Sequence, residues 1–245
     1  MLEINKLNVM YNEAIGLQDF SLSLKAGEVA AVIGPNGAGK TSLLRAIAGF
    51  LGREPGKIAS GQVTFEGNDI RGQTPYRIAR LGIALVPERD KVFPSLTVAE
   101  QLALAMPVVG RARYEQEVER VLNLFSNLKK HLKRPAGYLS GGERQMLSLG
   151  SALCMAPKLL LIDELSQGLA PGITEALVEQ IKMIRDEGMT LLVVEQNVSV
   201  AATLAERIYI LDAGRQVASE QSDRIFQRDD LMRTYLGFSQ KQAAS

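Results

Sequence analysis

Residues 34–41 read Gly-Pro-Asn-Gly-Ala-Gly-Lys-Thr, which fits the phosphate-loop pattern G-x-x-x-x-G-K-[ST]. Backbone N–H groups of such a loop surround the phosphates of a nucleotide. The apolar run 28–33 before it predicts a buried strand, and residues 42–48 after it show apolar side chains at helical spacing. This order places the loop at a helix N-terminus, where unpaired amides and the helix dipole favour an anion. The stretch therefore predicts a nucleoside triphosphate site, against the weaker alternative of a glycine-rich turn with a solvated lysine.

The length and composition restrict the classes of protein to which this chain can belong. The 245 residues are enough to bury a sizeable core, and the net charge of +1 gives no electrostatic argument for a nucleic-acid partner. The single cysteine, Cys154, excludes an internal disulfide and is expected to be a small core residue in a reducing compartment. No run approaches the roughly 18 apolar residues of a membrane span. We therefore expect a soluble chain whose role at a membrane would be peripheral, through a partner.

The order of predicted elements indicates an α/β protein. Early strands crowd together as in an antiparallel sheet, whereas later strands alternate with helices, as in parallel βαβ units. The stretch from about 88 to 156 is predominantly helical, so we expect a helical lobe inserted into a core of about 1–87 and 157–237. Residues 53–60 are predicted to be a loop, and the polar tail 238–245 is predicted to be disordered. The predicted strands are 2–9, 20–24, 28–33, 62–65, 83–86, 158–163, 190–194, 207–211 and 215–219, and the predicted helices are 40–49, 97–106, 114–125, 141–155, 173–187 and 198–205.

Two carboxylates, Asp163 and Glu164, end the apolar run 159–162. A strand buried on both faces delivers its last residues to the edge where ligands bind in open α/β sheets. In a phosphate-loop enzyme the first acid helps to hold Mg²⁺, together with the Thr41 hydroxyl. The second acid is placed to orient or deprotonate an attacking water. Solvated strand-end acids are the alternative, which the glycine loop disfavours.

A second candidate phosphate site lies at residues 139–145, Leu-Ser-Gly-Gly-Glu-Arg-Gln. Ser140 and Glu143 have the spacing of a capping box before an apolar-periodic helix. Gly141 and Gly142 leave the amides of this helix N-terminus unshielded. The pattern predicts either a second phosphate-binding terminus or an ordinary well-capped helix, and the residues alone do not separate the two.

Residues 139–145 resemble the signature of ATP-binding-cassette (ABC) ATPases, in the family's order after the glycine loop and before the strand 159–164. The similarity spans residues 2 to about 237. It implies a P-loop ABC ATPase core with a mixed, RecA-like sheet, an antiparallel β subdomain and an inserted helical subdomain. It also implies a head-to-tail dimer that holds ATP and Mg²⁺ between the glycine loop of one subunit and the signature of the other.

The resemblance assigns roles residue by residue. Lys40 would bridge the β- and γ-phosphates, Glu164 would be the general base and Gln196 would contact the γ-phosphate. Tyr11 matches the aromatic residue that stacks on adenine, although a strand-end packing role is equally open for a lone tyrosine. The implied metal ligands are Thr41, Asp163 and Glu88. The implied nucleotide-binding residues are Gly34, Asn36, Gly37, Gly39, Lys40, Thr41 and Ser42, with Ser140, Gly141 and Gly142 reaching the ATP held mainly by the other subunit.

Two residues depart from the general pattern of the family and point to one subgroup of it. Glu88 stands where most relatives carry glutamine, and Gln196 stands where most carry a histidine. Gln196 can donate a hydrogen bond but carries neither charge nor a transferable proton. The segments Val-Pro-Glu at 86–88, Val-Glu-Gln-Asn at 194–197 and Tyr-Leu-Gly at 235–237 resemble the ATPase subunits of bacterial branched-chain amino-acid importers. Those systems combine two ATPases with two permeases and, indirectly, a periplasmic binding protein.

The resulting expectation is a cytoplasmic ATPase, peripheral on the inner face of the membrane, that drives an importer. Residues 89–95 and the helical lobe would form the groove for a permease helix, with Val92 and Phe93 as contacts, although burial within the lobe is the alternative for Phe93. Other functions also stay open: import of urea, an amide or another cargo, a nucleotide sensor with little hydrolysis, or a soluble cassette acting in DNA repair or on ribosomes.

Overall fold

The computed structural model describes residues 1–53, 55–88, 91–228 and 230–231. Within these ranges the strands are β1 (Leu2–Tyr11), β2 (Ala14–Leu24), β3 (Val29–Ile33), β4 (Gly56–Phe65), β5 (Asn68–Asp69), β6 (Ile83–Val86), β7 (Leu159–Asp163), β8 (Thr190–Glu195), β9 (Arg207–Asp212) and β10 (Arg215–Gln221). The α-helices are α1 (Lys40–Ala48), α2 (Pro75–Leu81), α3 (Val98–Ala103), α4 (Met106–Val109), α5 (Arg111–Leu124), α6 (Ser126–Lys129), α7 (Gly141–Leu153), α8 (Pro171–Asp186) and α9 (Val198–Leu204). Short 3₁₀ helices lie at Leu51–Arg53, Ala136–Tyr138 and Ser222–Gln227.

The strands form one mixed sheet in the order β5-β4-β1-β2-β10-β9-β3-β8-β7-β6. Strands β9, β3, β8, β7 and β6 are parallel, whereas β1, β2, β4 and β5 pair antiparallel. Parallel strands present their carboxyl ends at one edge, so the residues after β3, β6, β7 and β8 meet there. The α/β class with a mixed sheet is confirmed.

The central strands are buried on both faces because helices cover each side. On one face Ala31 and Ile33 of β3 join a cluster with α3, α5, α7 and α8. On the other face Ala30 and Val32 pack with α1 and the antiparallel strands. Alternate side chains of one strand therefore enter two cores, which is why β3, β7 and β8 read as continuous apolar runs. Each fully buried Leu, Ile or Val contributes about 1.5–3 kcal/mol to these cores.

The loop predicted for residues 53–60 is wrong from Gly56 onward, where β4 begins. Tyr11 of β1 pairs with Gly56, and the pairing breaks register between Asn5 and Asn8. Gly61 lies at this irregularity with φ 92°, and a Cβ there would stand 2.3 Å from the Lys6 carbonyl oxygen. Gly56 and Gly61 therefore permit close approach and a bulge within a strand rather than a loop.

Other elements differ in extent. Strand β2 begins at Ala14 rather than residue 20, and α2, α4, α6 and β5 were not predicted. Helix α2 buries only Ile78, so its apolar periodicity is weak, although Pro75 at its first position is a start signal. The division of the chain at residues 88 and 156 stays a prediction. The segment 235–237 and the tail 238–245 lie outside the described residues. Within the described residues, no helix has the length and hydropathy of a membrane span.

Cys154 follows α7 and is completely buried. Burial raises the pKa of its thiol to about 12, so the thiol is protonated and unreactive at neutral pH. The prediction of a small core residue is confirmed.

Candidate nucleotide site

The glycine loop connects β3 to α1 and passes close to neighbouring backbone. A Cβ at Gly34 would stand 2.0 Å from the Leu211 carbonyl oxygen, and one at Gly39 would stand 2.3 Å from the Gly16 carbonyl oxygen. Gly39 also has φ 103°, in the left-handed region, where it caps α1 without a side chain. Gly34 is therefore required for space, and Gly39 for both space and conformation. The loop therefore presents bare backbone at the start of α1.

Lys40 is the first residue of α1 and is 4% exposed. Its Nζ donates to the carbonyl oxygens of Gly34 (2.9 Å) and Pro35 (3.1 Å). The same Nζ lies 3.2 Å from Glu164 Oε1. A buried ammonium needs such partners, since an unpaired buried charge is costly. The structure thus joins the glycine loop directly to the carboxylate after β7.

Asp163 ends β7 and is 5% exposed. Burial, followed by the charges of Glu164 and Glu88, raises its pKa to about 6, while Lys40 and a hydrogen bond with Thr41 oppose the rise. Asp163 Oδ1 and Glu164 Oε2 are buried without a hydrogen-bond partner among the described residues. Buried acceptor oxygens beside one another favour a donor or a cation.

The backbone of Glu164 is strained. Its φ is 47°, a left-handed conformation that costs a residue other than glycine about 1–3 kcal/mol. The surrounding structure holds this conformation in part through the bond from the Glu164 N–H to the Val194 carbonyl, at 2.9 Å. In this conformation the Glu164 carboxylate contacts Lys40, with Oε1 3.2 Å from Nζ.

A cavity of about 480 Å³ lies over the loop. The structure brings nine of the predicted site residues to its wall: Tyr11, Asn36, Gly37, Gly39, Lys40, Thr41, Ser42, Glu88 and Glu164. Gln167 also lines it, together with Ile15 and Gly16, which had not been singled out from the sequence. Ile15 and Gly16 were missed because β2 was predicted to begin after them.

Gln196 lines an adjoining polar cavity of about 440 Å³, which shares Glu164 and Gln167 with the first. Glu195 also lines this second cavity, and the sequence assigned it no role. Its only signal was a carboxylate at the end of an apolar strand, the same signal that identified Asp163. Among the described residues, Ser140, Gly141 and Gly142 line neither cavity.

The predicted capping box is present at the start of α7. The Glu143 N–H donates to Ser140 Oγ at 3.3 Å, and the Ser140 N–H donates to Glu143 Oε2 at 2.8 Å. Gly141 and Gly142 follow as the first helical residues. His131 Nε2 lies 3.2 Å from Glu143 Oε1, so the histidine supports the cap rather than the cavity.

The segment that links β6 to α3 carries an exposed apolar side chain. Phe93 is 60% exposed, which makes its predicted alternative, burial within the helical lobe, wrong. Its N–H donates to Oε1 of the buried Gln101 at 3.0 Å, so the backbone is fixed while the ring faces outward. Tyr138 is 72% exposed. It lies near Phe93, since the Gly137 N–H donates to the Pro94 carbonyl at 3.0 Å.

A glycine loop at a helix start, a buried lysine and two strand-end carboxylates define a phosphate-loop nucleotide-binding protein. Comparison with known proteins narrows this class. The family described as "ABC transporter" matches residues 17–167. The high-affinity branched-chain amino acid transport ATP-binding protein BraG of Pseudomonas aeruginosa is 40% identical over 237 residues, covering 97% of this chain and 100% of that protein.

A second relative is the probable branched-chain amino acid transport ATP-binding protein LivF of Archaeoglobus fulgidus. It is 35% identical over 238 residues, covering 97% of this chain and 99% of its own. The ADP conformation of MJ1267, described as an ATP-binding cassette of an ABC transporter, has the same fold, with a TM-score of 0.82 at 24% identity and coverage of 95% and 97%.

The chain belongs to the ABC transporter family. It is an ATP-binding subunit of this family and hydrolyses ATP. The resemblance read from the signature segment is confirmed.

Proposed function

We propose that this chain is the ATPase subunit of an importer for branched-chain or related amino acids. The observation that carries the proposal is the meeting of Lys40, Thr41, Glu88 and Glu164 around one cavity at the start of α1. The cargo is supported by BraG and LivF, which are named for branched-chain amino acid transport and align over nearly their whole length. A different cargo, such as urea or an amide, is the alternative.

In the proposed binding mode, the ATP phosphates lie against the amides of the glycine loop. Lys40 exchanges its carbonyl partners for β- and γ-phosphate oxygens, which are stronger, charged acceptors. Tyr11 lies at the adenine end, where its ring is held between two glycines. A Cβ at Gly16 or Gly56 would stand 2.8 or 2.7 Å from ring carbons. The Tyr11 hydroxyl is buried without a hydrogen-bond partner among the described residues, which supports a role toward a ligand.

The residues also fit Mg²⁺. Thr41 and Asp163 would hold the ion; Thr41 and Glu88 line the cavity over the loop, and both act on the pKa of Asp163. Bound Mg²⁺ would neutralise charge on the phosphate oxygens. The unpartnered Asp163 Oδ1 and the high pKa of this carboxyl support a cation at this place. In the described part of the chain, no group of three or more His, Cys, Asp or Glu residues could hold a metal by itself. The remaining ligands would therefore come from phosphate and water, as Mg²⁺ prefers.

Glu164 is the proposed general base. Lys40 holds one of its carboxylate oxygens, and the other has no partner among the described residues and is available to accept a proton from water. Gln196 would orient the γ-phosphate or the water from the adjoining cavity by hydrogen bonds only. A positioned base contributes about 10²–10⁴-fold to the rate.

The capped N-terminus of α7 would act on the ATP of a second subunit, identical or related. Ser140, Gly141 and Gly142 contribute nothing to the two cavities of their own chain, which supports a role across an interface. The exposed Phe93 and Tyr138 would contact a cytoplasmic helix of the permease, with Val92 beside them. In this proposal the chain would lie on the inner face of the membrane and would act on a binding protein only indirectly.

The test is ATP turnover and ATP affinity of the purified chain. Glu164→Gln is expected to lower turnover by at least ~10²-fold with ATP binding retained, because only the base is lost. Lys40→Ala is expected to weaken binding of ATP instead. Glu119→Gln, at an exposed position of α5, is the matched control and should behave as wild type.

An unchanged rate in Glu164→Gln would remove this residue from its role. ATP binding without turnover in the wild-type chain would favour a nucleotide sensor instead. The cargo is tested separately, by ATP-dependent leucine uptake into vesicles that contain the chain with its permeases. Uptake of another solute but not of leucine would refute the cargo assignment.

A further inference from the structure

Glu195, the last residue of β8, is 1% exposed. Each of its carboxylate oxygens accepts a hydrogen bond from Ser166: Oε1 from the backbone N–H at 3.0 Å and Oε2 from the hydroxyl at 2.9 Å. Oε2 also accepts from the Asn197 N–H at 3.4 Å. One buried side chain thus ties the segment that follows β7 to the segment that follows β8.

This contact lies two residues beyond Glu164, whose backbone is in the left-handed region. Before the strained residue, β7 is held by its ladder to β8, and the Glu164 N–H itself bonds to the Val194 carbonyl at 2.9 Å. After it, Ser166 is bonded to Glu195. The last two residues of β8 therefore hold the backbone on both sides of Glu164, and a conformation that the residue would not adopt by itself is maintained.

The two buried glutamates differ in what their oxygens do. Both oxygens of Glu195 are used by Ser166 and Asn197, whereas Glu164 Oε2 has no partner among the described residues. Glu195 is therefore not free to take a proton from water. Its burial is costly for a carboxylate, and the three bonds offset that cost by fixing local geometry.

We propose that Glu195 is a positioning residue for hydrolysis, acting by clamping Ser166 so that the Glu164 carboxylate stays aimed at the reacting water. The clamp rests on the proposed role of Glu164 as general base. A displacement of about 1 Å at a reacting group is enough to cost on the order of 10²-fold in rate. The clamp should accordingly affect the chemical step and leave ATP binding by the glycine loop unchanged.

The test compares kcat and the dissociation constant for ATP in four variants: Glu195→Ala, Glu195→Gln, Ser166→Ala and Glu164→Gln. Glu195→Ala removes all three bonds and should lower kcat by about 10–100-fold with ATP affinity within about 3-fold of wild type. Glu195→Gln keeps an acceptor for the Ser166 N–H and should restore kcat to within about 3-fold. Ser166→Ala removes one bond and should lower kcat by less than Glu195→Ala does. A fifth variant that combines Glu195→Ala with Ser166→Ala should be no slower than Glu195→Ala alone, because both changes disrupt the same contact.

The outcomes separate the clamp from the function on which it rests. If Glu164→Gln keeps the wild-type rate, the base assignment and the clamp both fall. If Glu164→Gln loses turnover while Glu195→Ala keeps it, only the clamp is overturned. A parallel loss of kcat and ATP affinity would indicate general damage to the site and would also overturn the clamp. Should Glu195→Ala not fold, the comparison of Glu195→Gln with Ser166→Ala decides, and equal, wild-type rates in both refute the proposal.

Discussion

Replacing Asp163 by Asn should stabilise the nucleotide-free chain while it removes a proposed metal ligand. Burial, followed by the charges of Glu164 and Glu88, raises the pKa of this carboxyl from 3.8 to about 6. Since each pKa unit corresponds to about 1.4 kcal/mol, ionising Asp163 at neutral pH costs the folded state about 3 kcal/mol relative to the unfolded state. Asparagine is nearly isosteric and carries no charge, so it avoids this cost.

The sign of the pH dependence follows from the raised pKa. A folded state with the higher pKa binds the proton more tightly, so the wild type loses stability as the pH rises from about 4 through 6. The loss is complete above about pH 7. Asp163→Asn should therefore resemble wild type near pH 4 and exceed it by up to about 3 kcal/mol at pH 8.

The assay is urea unfolding at several pH values between 4 and 8, with a metal chelator and without nucleotide. Asp186→Asn, an exposed aspartate at the end of α8, is the control and should change the free energy of unfolding by no more than about 0.5 kcal/mol at every pH. With ATP and Mg²⁺ present, the order should reverse, because the wild type gains more from the ligand. A stability difference between Asp163→Asn and wild type that does not change with pH would refute the reasoning.

Three further predictions concern other parts of the fold. Gly56→Ala should cost about 1–3 kcal/mol in the free energy of unfolding and weaken ATP binding, because the new Cβ would stand 2.7 Å from the Tyr11 ring. The control is Gly52→Ala, which has open space around it, and equal effects of the two changes would contradict the packing argument. Cys154 should not react with a thiol reagent in the native state, because burial raises its pKa to about 12, and should react fully in urea; rapid native labelling would show that the thiol is accessible. Thr97→Ala should cost about 0.5–2 kcal/mol by removing the capping box of α3, measured by urea unfolding, and an unchanged midpoint would count against the cap.

Local patterns in the sequence predicted the main elements of the site. The spacing of Gly34, Gly39 and Lys40 identifies the loop because its backbone geometry and its ligand both require those residue types. The run that ends at Asp163 identifies a strand edge, since continuous apolar residues followed by acids fit a strand buried on both faces. The capping box at Ser140 could also be predicted from the sequence, because it depends on two residues only three positions apart.

Two features of the fold could not be predicted from the sequence, for physical reasons. A glycine in the sequence is compatible with a loop and with a bulge in a strand. For Gly56 and Gly61 only the pairing of β4 with β1 shows that they belong to a strand. Phe93 is apolar and invites a prediction of burial, yet its exposure depends on how residues 93–95 dock against Gln101.

The sequence by itself determined that this chain holds a phosphate loop, a strand ending in two acids and a capped second helix terminus, because each of these depends on neighbours within a few residues. Only the tertiary structure decided that Lys40 forms an ion pair with Glu164 and that Gly16 and Gln167 line the cavity. The same holds for the hydrogen bonds between Glu195 and Ser166. These contacts join residues distant along the chain. They arise because parallel strands bring their carboxyl ends to one edge, whatever their separation in the sequence.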